Sequence, residues 1–127
     1  MIVDIDHFKQ FNDNYGHVIG DQVLRAVAQM MWSALRQGDI IGRFGGEEFS
    51  IILPESNNIV AIYVAERLIS QVADAPIETD AGKLTIQLSI GIAGMDKDTP
   101  SLHSLIVRAD QALYNAKSAG RNRLAVK

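Results

Sequence analysis

Gly45-Gly46-Glu47-Glu48 sets two adjacent glycines beside two adjacent carboxylates, between Asp39 to Phe44 and Phe49 to Pro54, two runs that both read as strands. Such a pattern makes a β-hairpin, with the glycines expected to supply the positive φ angles of a tight turn. At the least, Glu47 and Glu48 are solvated turn residues. They are also hard oxygen donors beside backbone that carries no Cβ, which suits a phosphate with its Mg²⁺. A further carboxylate, Asp4, stands near the C-terminal end of an opening strand, Met1 to Ile5. Asp6 can then N-cap a short helix from His7 to Asn14, whose free N–H groups and positive dipole end face back toward Asp4 and favour a polyphosphate. Lys9 falls in the first turn of that helix. It is either a solvated lysine or the partner of an anion bound there, because a cation is otherwise poorly placed at a helix N-terminus.

The remaining elements must position these groups. Turn residues at Asn14 to His17 and at Gly20-Asp21 punctuate the chain before a long helix, about Asp21 to Arg36, striped by Leu24, Val27, Ala28, Met31 and Leu35. After the hairpin, a helix from about Asn57 to Ala73 carries Ala61, Ile62, Ala65, Leu68, Ile69 and Val72 on one face, and Pro76 ends it. Lys83 to Gly94 reads as one long strand with an alternating apolar face. Thr99-Pro100-Ser101 opens the last helix and Gly120 closes it, ahead of a short strand from Arg123 to Val126. The expected fold is α+β, an antiparallel-rich sheet flanked by helices in a ferredoxin-like arrangement, the plan of nucleotidyl-cyclase and polymerase palms.

Composition narrows the function classes. A chain of 127 residues, 47% hydrophobic, has apolar material for one core. With a net charge of −3, a nonspecific nucleic-acid or anionic-membrane surface is not expected, so phosphate recognition must be local. The absence of cysteine removes thiolate metal sites and cysteine nucleophiles and fits a reducing cytosol. No apolar run reaches the roughly 18 residues of a membrane span.

Asp4-Ile5-Asp6-His7-Phe8-Lys9-Gln10-Phe11-Asn12-Asp13, Gly16-His17, Gly20-Asp21, Gly45-Gly46-Glu47-Glu48-Phe49, Ala109-Asp110-Gln111-Ala112-Leu113-Tyr114 with Ala116-Lys117, and Gly120-Arg121-Asn122 occur in that order. Together they resemble a GGDEF domain, the diguanylate cyclase family, over residues 1–127. The resemblance implies condensation of two GTP molecules into cyclic di-GMP with release of two pyrophosphates, by two facing domains in a homodimer. It makes Asp4, the main-chain carbonyl of Ile5 and Glu47 the ligands of two Mg²⁺ ions, with Mn²⁺ as a substitute. Glu47 becomes the proton acceptor for the ribose 3′-hydroxyl, and Lys9 a catalytic contact to the phosphates. Amides near Phe8, the Gly45-Gly46 backbone, Lys117 and Arg121 would also bind substrate, whereas without the resemblance Lys117 and Arg121 read as complements to the dipole at the C-terminal end of the last helix.

Asn12, His17 and Asp21 match substrate-binding positions. A carboxylate at Asp21 can accept from both N1–H and N2–H₂ of guanine. Read without the resemblance, Asp21 is an N-cap, Asn12 a turn cap and His17 a surface or packing histidine. Arg36-Gln37-Gly38-Asp39 matches an inhibitory product site, with Arg67 expected to complete it from another surface; an exposed Arg36–Asp39 ion pair is the plain reading. Two departures are visible: Glu47 stands where the family name has Asp, and the helix, Leu-Thr-Gly-Leu and Asn-Arg segment usual before the first strand is absent. A silent domain that binds GTP or cyclic di-GMP without turnover is the alternative, and a cyclase making cyclic mononucleotides or a polymerase-like palm is a third reading. A cytoplasmic location is expected, with any membrane tether lying upstream of this segment.

Overall fold

The computed structural model describes residues 1–127. Strand β1 (Ile2–Ile5) is buried at every position, because it lies in the middle of the sheet with helices on both faces. Antiparallel neighbours flank it: β3 (Glu48–Ile52), joined by a hairpin to β2 (Ile40–Gly45), and β6 (Leu88–Ile92). β7 (Leu124–Val126) runs parallel to β6, so the five-stranded order is β2-β3-β1-β6-β7. The first four strands of that order reproduce the ferredoxin-like plan, and β7 is added by a helical crossover.

Side chains alternate across the sheet. Val3, Ile5, Phe49, Ile51, Leu88, Ile90 and Ile92 form one core with α2 (His17–Ala34) and α3 (Asn58–Asp74), including Val23, Val27, Met31, Ala65 and Leu68. Ile2 instead packs against Ala109 and Leu113 of α4 (Leu102–Ser118), on the opposite face. Side-chain caps open two helices: Asn57 accepts from the Val60 amide at 3.0 Å, and Ser101 from the Ser104 amide at 3.1 Å.

Four expectations are corrected. Asp6 does not cap α1 (Phe8–Tyr15); the N-cap is His7, in the left-handed region at φ 57° with no side-chain cap, because the Asp6 carboxylate is drawn to partners in β6 and beyond α4. Helix α2 begins at His17, so Gly20 and Asp21 lie within it and Asp21 is no N-cap. In the hairpin only Gly46 has positive φ, 40°, and the turn is Gly46-Glu47, preceded by a bulge between Arg43 and Gly45. The expected long strand is broken: Gly82–Leu84 (β5) pairs with Ile77–Thr79 (β4) in a separate two-stranded sheet, and only residues from Leu88 join β1. Period-two alternation continues through Ile86, but alternation does not name the pairing partner, and buried Ile77 anchors the competing hairpin.

Candidate active site

Asp4 points to the α4 face of the sheet, opposite Glu48 on β3 and Ser89 on β6. Burial, to 5% exposed, pushes its carboxyl up to about 6; a hydrogen bond and the charge of Lys117 draw it down, while Glu47 and Glu48 push it further up. Lys117 Nζ sits 3.0 Å from Asp4 Oδ2. The closeness of α4 to the sheet makes that reach feasible. A Cβ on Gly91 would lie 2.0 Å from the Ala109 carbonyl oxygen and 2.3 Å from the Leu113 nitrogen. Only glycine lets the helix descend this far, and Lys117 follows one turn after Leu113.

The hairpin tip is held to the same place. The Ile5 amide donates to the Glu47 carbonyl at 3.3 Å, which joins the end of β1 to the turn. Arg43 folds back over the turn, donating from Nε and Nη2 to the Gly46 carbonyl at 2.9 and 2.7 Å. Asp4, Ile5 and half-buried Glu47 therefore share one wall of a cavity of about 290 Å³. The uncapped start of α1 forms another part of it, through His7, Phe8, Lys9 and Gln10, and Lys117 and Arg121 close the far side. Three cations, two carboxylates and a helix N-terminus suit a polyanion carried with a metal.

No three His, Asp or Glu side chains converge to hold an ion by themselves. Mg²⁺ does not need them, since it is commonly bound by one or two carboxylates with the remaining places taken by water and substrate phosphates. The oxygen donors are of the right kind, and Asp4 already draws a cation, the Lys117 ammonium. The oxygen donors of Asp4, Ile5 and Glu47 are of a kind that fits a divalent ion.

Asn12, His17 and Asp21 lie outside that cavity, at the corner between α1 and α2. The Asn12 side-chain oxygen is buried without a hydrogen-bond partner and packs on Gly20, where an added Cβ would stand 1.8 Å from it. Asp21, the next residue, is exposed, as is His17 at the start of α2. Gly45 and Gly46 form the exposed hairpin tip and do not line the cavity.

Arg36, Asp39 and Arg67 meet in a separate cavity of about 170 Å³, with Ser56 and Val64 among its walls. Arg36 Nε lies 3.1 Å from Asp39 Oδ1, and Arg36 Nη2 donates to the Pro54 carbonyl at 2.7 Å and to Ser56 Oγ at 3.0 Å. Arg67 reaches this cavity from α3 of the same chain, not from another surface; it donates to the Ala34 carbonyl, while its buried Nε has no partner.

Residues whose supporting contacts sequence reasoning missed are Gly20, Arg43, Gly91 and, in its actual position, Asp6. Gly20 reads in the sequence as a turn residue ahead of the long helix, which hides its contact with Asn12. Nothing local marks the long-range contacts of the other three.

The model for "Diguanylate cyclase, GGDEF domain" matches residues 1–123. The chain is 41% identical over 126 residues to Diguanylate cyclase A of Treponema denticola, covering 99% of this chain and 34% of that protein. It is 39% identical over 124 residues to the response regulator PleD of Caulobacter vibrioides, covering 96% of this chain and 27% of the relative. It thus spans about a third or less of these curated relatives. The active GGEEF domain of a diguanylate cyclase from Vibrio cholerae superposes with a TM-score of 0.91 at 35% identity, over 98% of this chain and 79% of that one. The GGDEF domain of DgcB from Caulobacter crescentus, solved in complex with c-di-GMP, gives 0.92 at 38% identity, over 98% of this chain and 74% of that one. With the signature read as Gly45-Gly46-Glu47-Glu48-Phe49 and the fold in agreement, the chain belongs to the GGDEF domain family.

Proposed function

We propose that residues 1–127 form the catalytic domain of a diguanylate cyclase, holding one GTP with Mg²⁺ and joining it to the GTP of a second copy. The observation that carries this reading is the single cavity shared by Asp4, Glu47, the open end of α1 and the cations Lys9, Lys117 and Arg121. The chemistry supplied by bound Mg²⁺, or Mn²⁺ in its place, is charge neutralisation on the triphosphate and a lowered pKa for the ribose 3′-hydroxyl. Lys9 and the first amides of α1 hold the phosphates and stabilise charge that develops on them, while Lys117 and Arg121 reach the terminal phosphates. Glu47 takes the proton of the 3′-hydroxyl as the 3′-oxygen bonds to the α-phosphorus of the other GTP and the bond to pyrophosphate breaks. Asn12 and Asp21 read the guanine edge, with His17 beside them.

The Arg36, Asp39 and Arg67 cavity is read as a product site, where a guanidinium can meet a guanine edge or a phosphate bidentately. Carriage of these groups by one chain supports binding of cyclic di-GMP there as feedback. The substrate implies a compartment that holds GTP, the cytoplasm. Incubation of the protein, dimerised through a fused coiled coil, with GTP and Mg²⁺ is expected to yield cyclic di-GMP and pyrophosphate. Tight nucleotide binding with no pyrophosphate released would favour a regulatory module without turnover.

A further inference from the structure

We propose that Asp6 is a positioning residue, whose buried carboxylate holds the turn between α4 and β7 in the shape that brings Arg121 to the phosphate cavity. The inference rests on the reading of that cavity as a triphosphate site. Asp6 is 8% exposed, and each of its oxygens has a separate partner. Oδ1 accepts from Ser89 Oγ at 2.7 Å, and Oδ2 accepts from the Asn122 amide at 2.9 Å. The chain just beyond β1 is thereby fastened both to β6 and to a turn 116 residues later.

That turn needs a fastening. Gly120, Arg121 and Asn122 follow one another at φ 122°, 62° and 46°. Two successive non-glycine residues in the left-handed region are disfavoured, and such backbone persists only where its surroundings over-determine it. Within the turn, the Arg121 amide donates to the Ala116 carbonyl at 3.1 Å and the Gly120 amide to the Lys117 carbonyl at 3.2 Å. Both bonds return to α4, and neither fixes the turn against β1. The Asp6 carboxylate does so at the residue next to Arg121, before strand pairing takes over at the Arg123 carbonyl, which accepts from the Ile90 amide at 3.0 Å. Asp4 and Asp6 then divide the work: Asp4 faces the cavity, and Asp6 sets where the opposite wall stands.

The test is calorimetric binding of a non-hydrolysable GTP analogue and of GMP, each with Mg²⁺, to the unaltered protein, Asp6→Ala, Arg121→Ala and the double variant. Asp6→Ala is expected to weaken the triphosphate about tenfold, the scale of one charge-assisted contact, and to leave GMP unchanged. In the Arg121→Ala background the same change should cost no further triphosphate affinity, since the two residues act through one contact. Equal loss of both ligands, or an undiminished loss without Arg121, overturns the inference. Should Asp6→Ala fail to fold, Asp6→Asn serves instead: its amide offers one accepting oxygen where the carboxylate offers two, and an unchanged ratio of triphosphate to GMP affinity refutes the role. A protein that binds no GTP analogue at all refutes the triphosphate reading and the inference together. Selective weakening by Arg121→Ala with none by Asp6→Ala refutes the inference alone.

Discussion

Replacing Asp4 by asparagine should make the metal-free protein more stable at neutral pH, although the same change removes a ligand that the proposed function needs. The Asp4 carboxyl is raised from 3.8 to about 6, chiefly by burial. A raised carboxyl favours folding below the unfolded value, and that contribution is lost as pH rises through the folded one. The shift is about two pH units, on the order of 3 kcal/mol of penalty once the group is ionised. The net Lys117 attraction is already contained in it, and with a side chain 31% exposed Lys117 can rehydrate after the change at a cost of about 1 kcal/mol or less. A net gain of about 2 kcal/mol at pH 7 is therefore expected, vanishing near pH 4 where Asp4 is protonated and close to isosteric with asparagine. Urea denaturation of both proteins in EDTA, from pH 4 to pH 8, measures the difference directly and cancels the other carboxylates. If the variant is no more stable at pH 7, Lys117 compensates Asp4 fully and the burial reasoning is refuted.

Gly20→Ala should displace the Asn12 side chain, because the new Cβ meets its oxygen at 1.8 Å; preference for GTP over ATP in competition binding falls, while stability stays within about 1 kcal/mol, since a flexible side chain gives way. Gly91→Ala meets backbone of α4 at 2.0 Å and cannot be relieved by a rotamer, so denaturation should show a loss of about 3 kcal/mol or more. Arg36→Ala removes the bonds to Asp39, Pro54 and Ser56 and should weaken cyclic di-GMP binding by about tenfold or more, read by calorimetry.

The sequence carried the elements of this fold that depend on local pattern. The stripes of α3 and α4, the opening of α4 at Ser101, and the hairpin at Gly45-Gly46 all lie where residue order places them. The misjudged parts share a cause, which is that a distant partner decided the outcome. Asp6 looked like a cap because the residues after it form a helix, yet its acceptor oxygens are claimed by Ser89 and by Asn122. Gly20 looked like a turn because glycine often breaks helices, whereas here it makes room for Asn12 inside one. Lys83 to Gly94 looked like one strand, since alternation records which face is apolar and leaves open which neighbour is paired. For the site, residue types pointed to Asp4, Lys9 and Glu47, and only the family resemblance added Lys117 and Arg121, which the structure places around the same cavity. Their supports, Arg43 on the Gly46 carbonyl and Gly91 beneath α4, appear only in three dimensions.

The central claim is that Asp4 and Glu47 jointly hold divalent ions beneath a bound guanosine triphosphate. Titration of Mn²⁺ into the protein with a non-hydrolysable GTP analogue, followed by electron paramagnetic resonance, tests it most directly. Two ions per chain are expected with the unaltered protein, with Asp4→Asn and Glu47→Gln each weakening their uptake while the protein stays folded. Ion uptake that neither substitution changes would contradict the account.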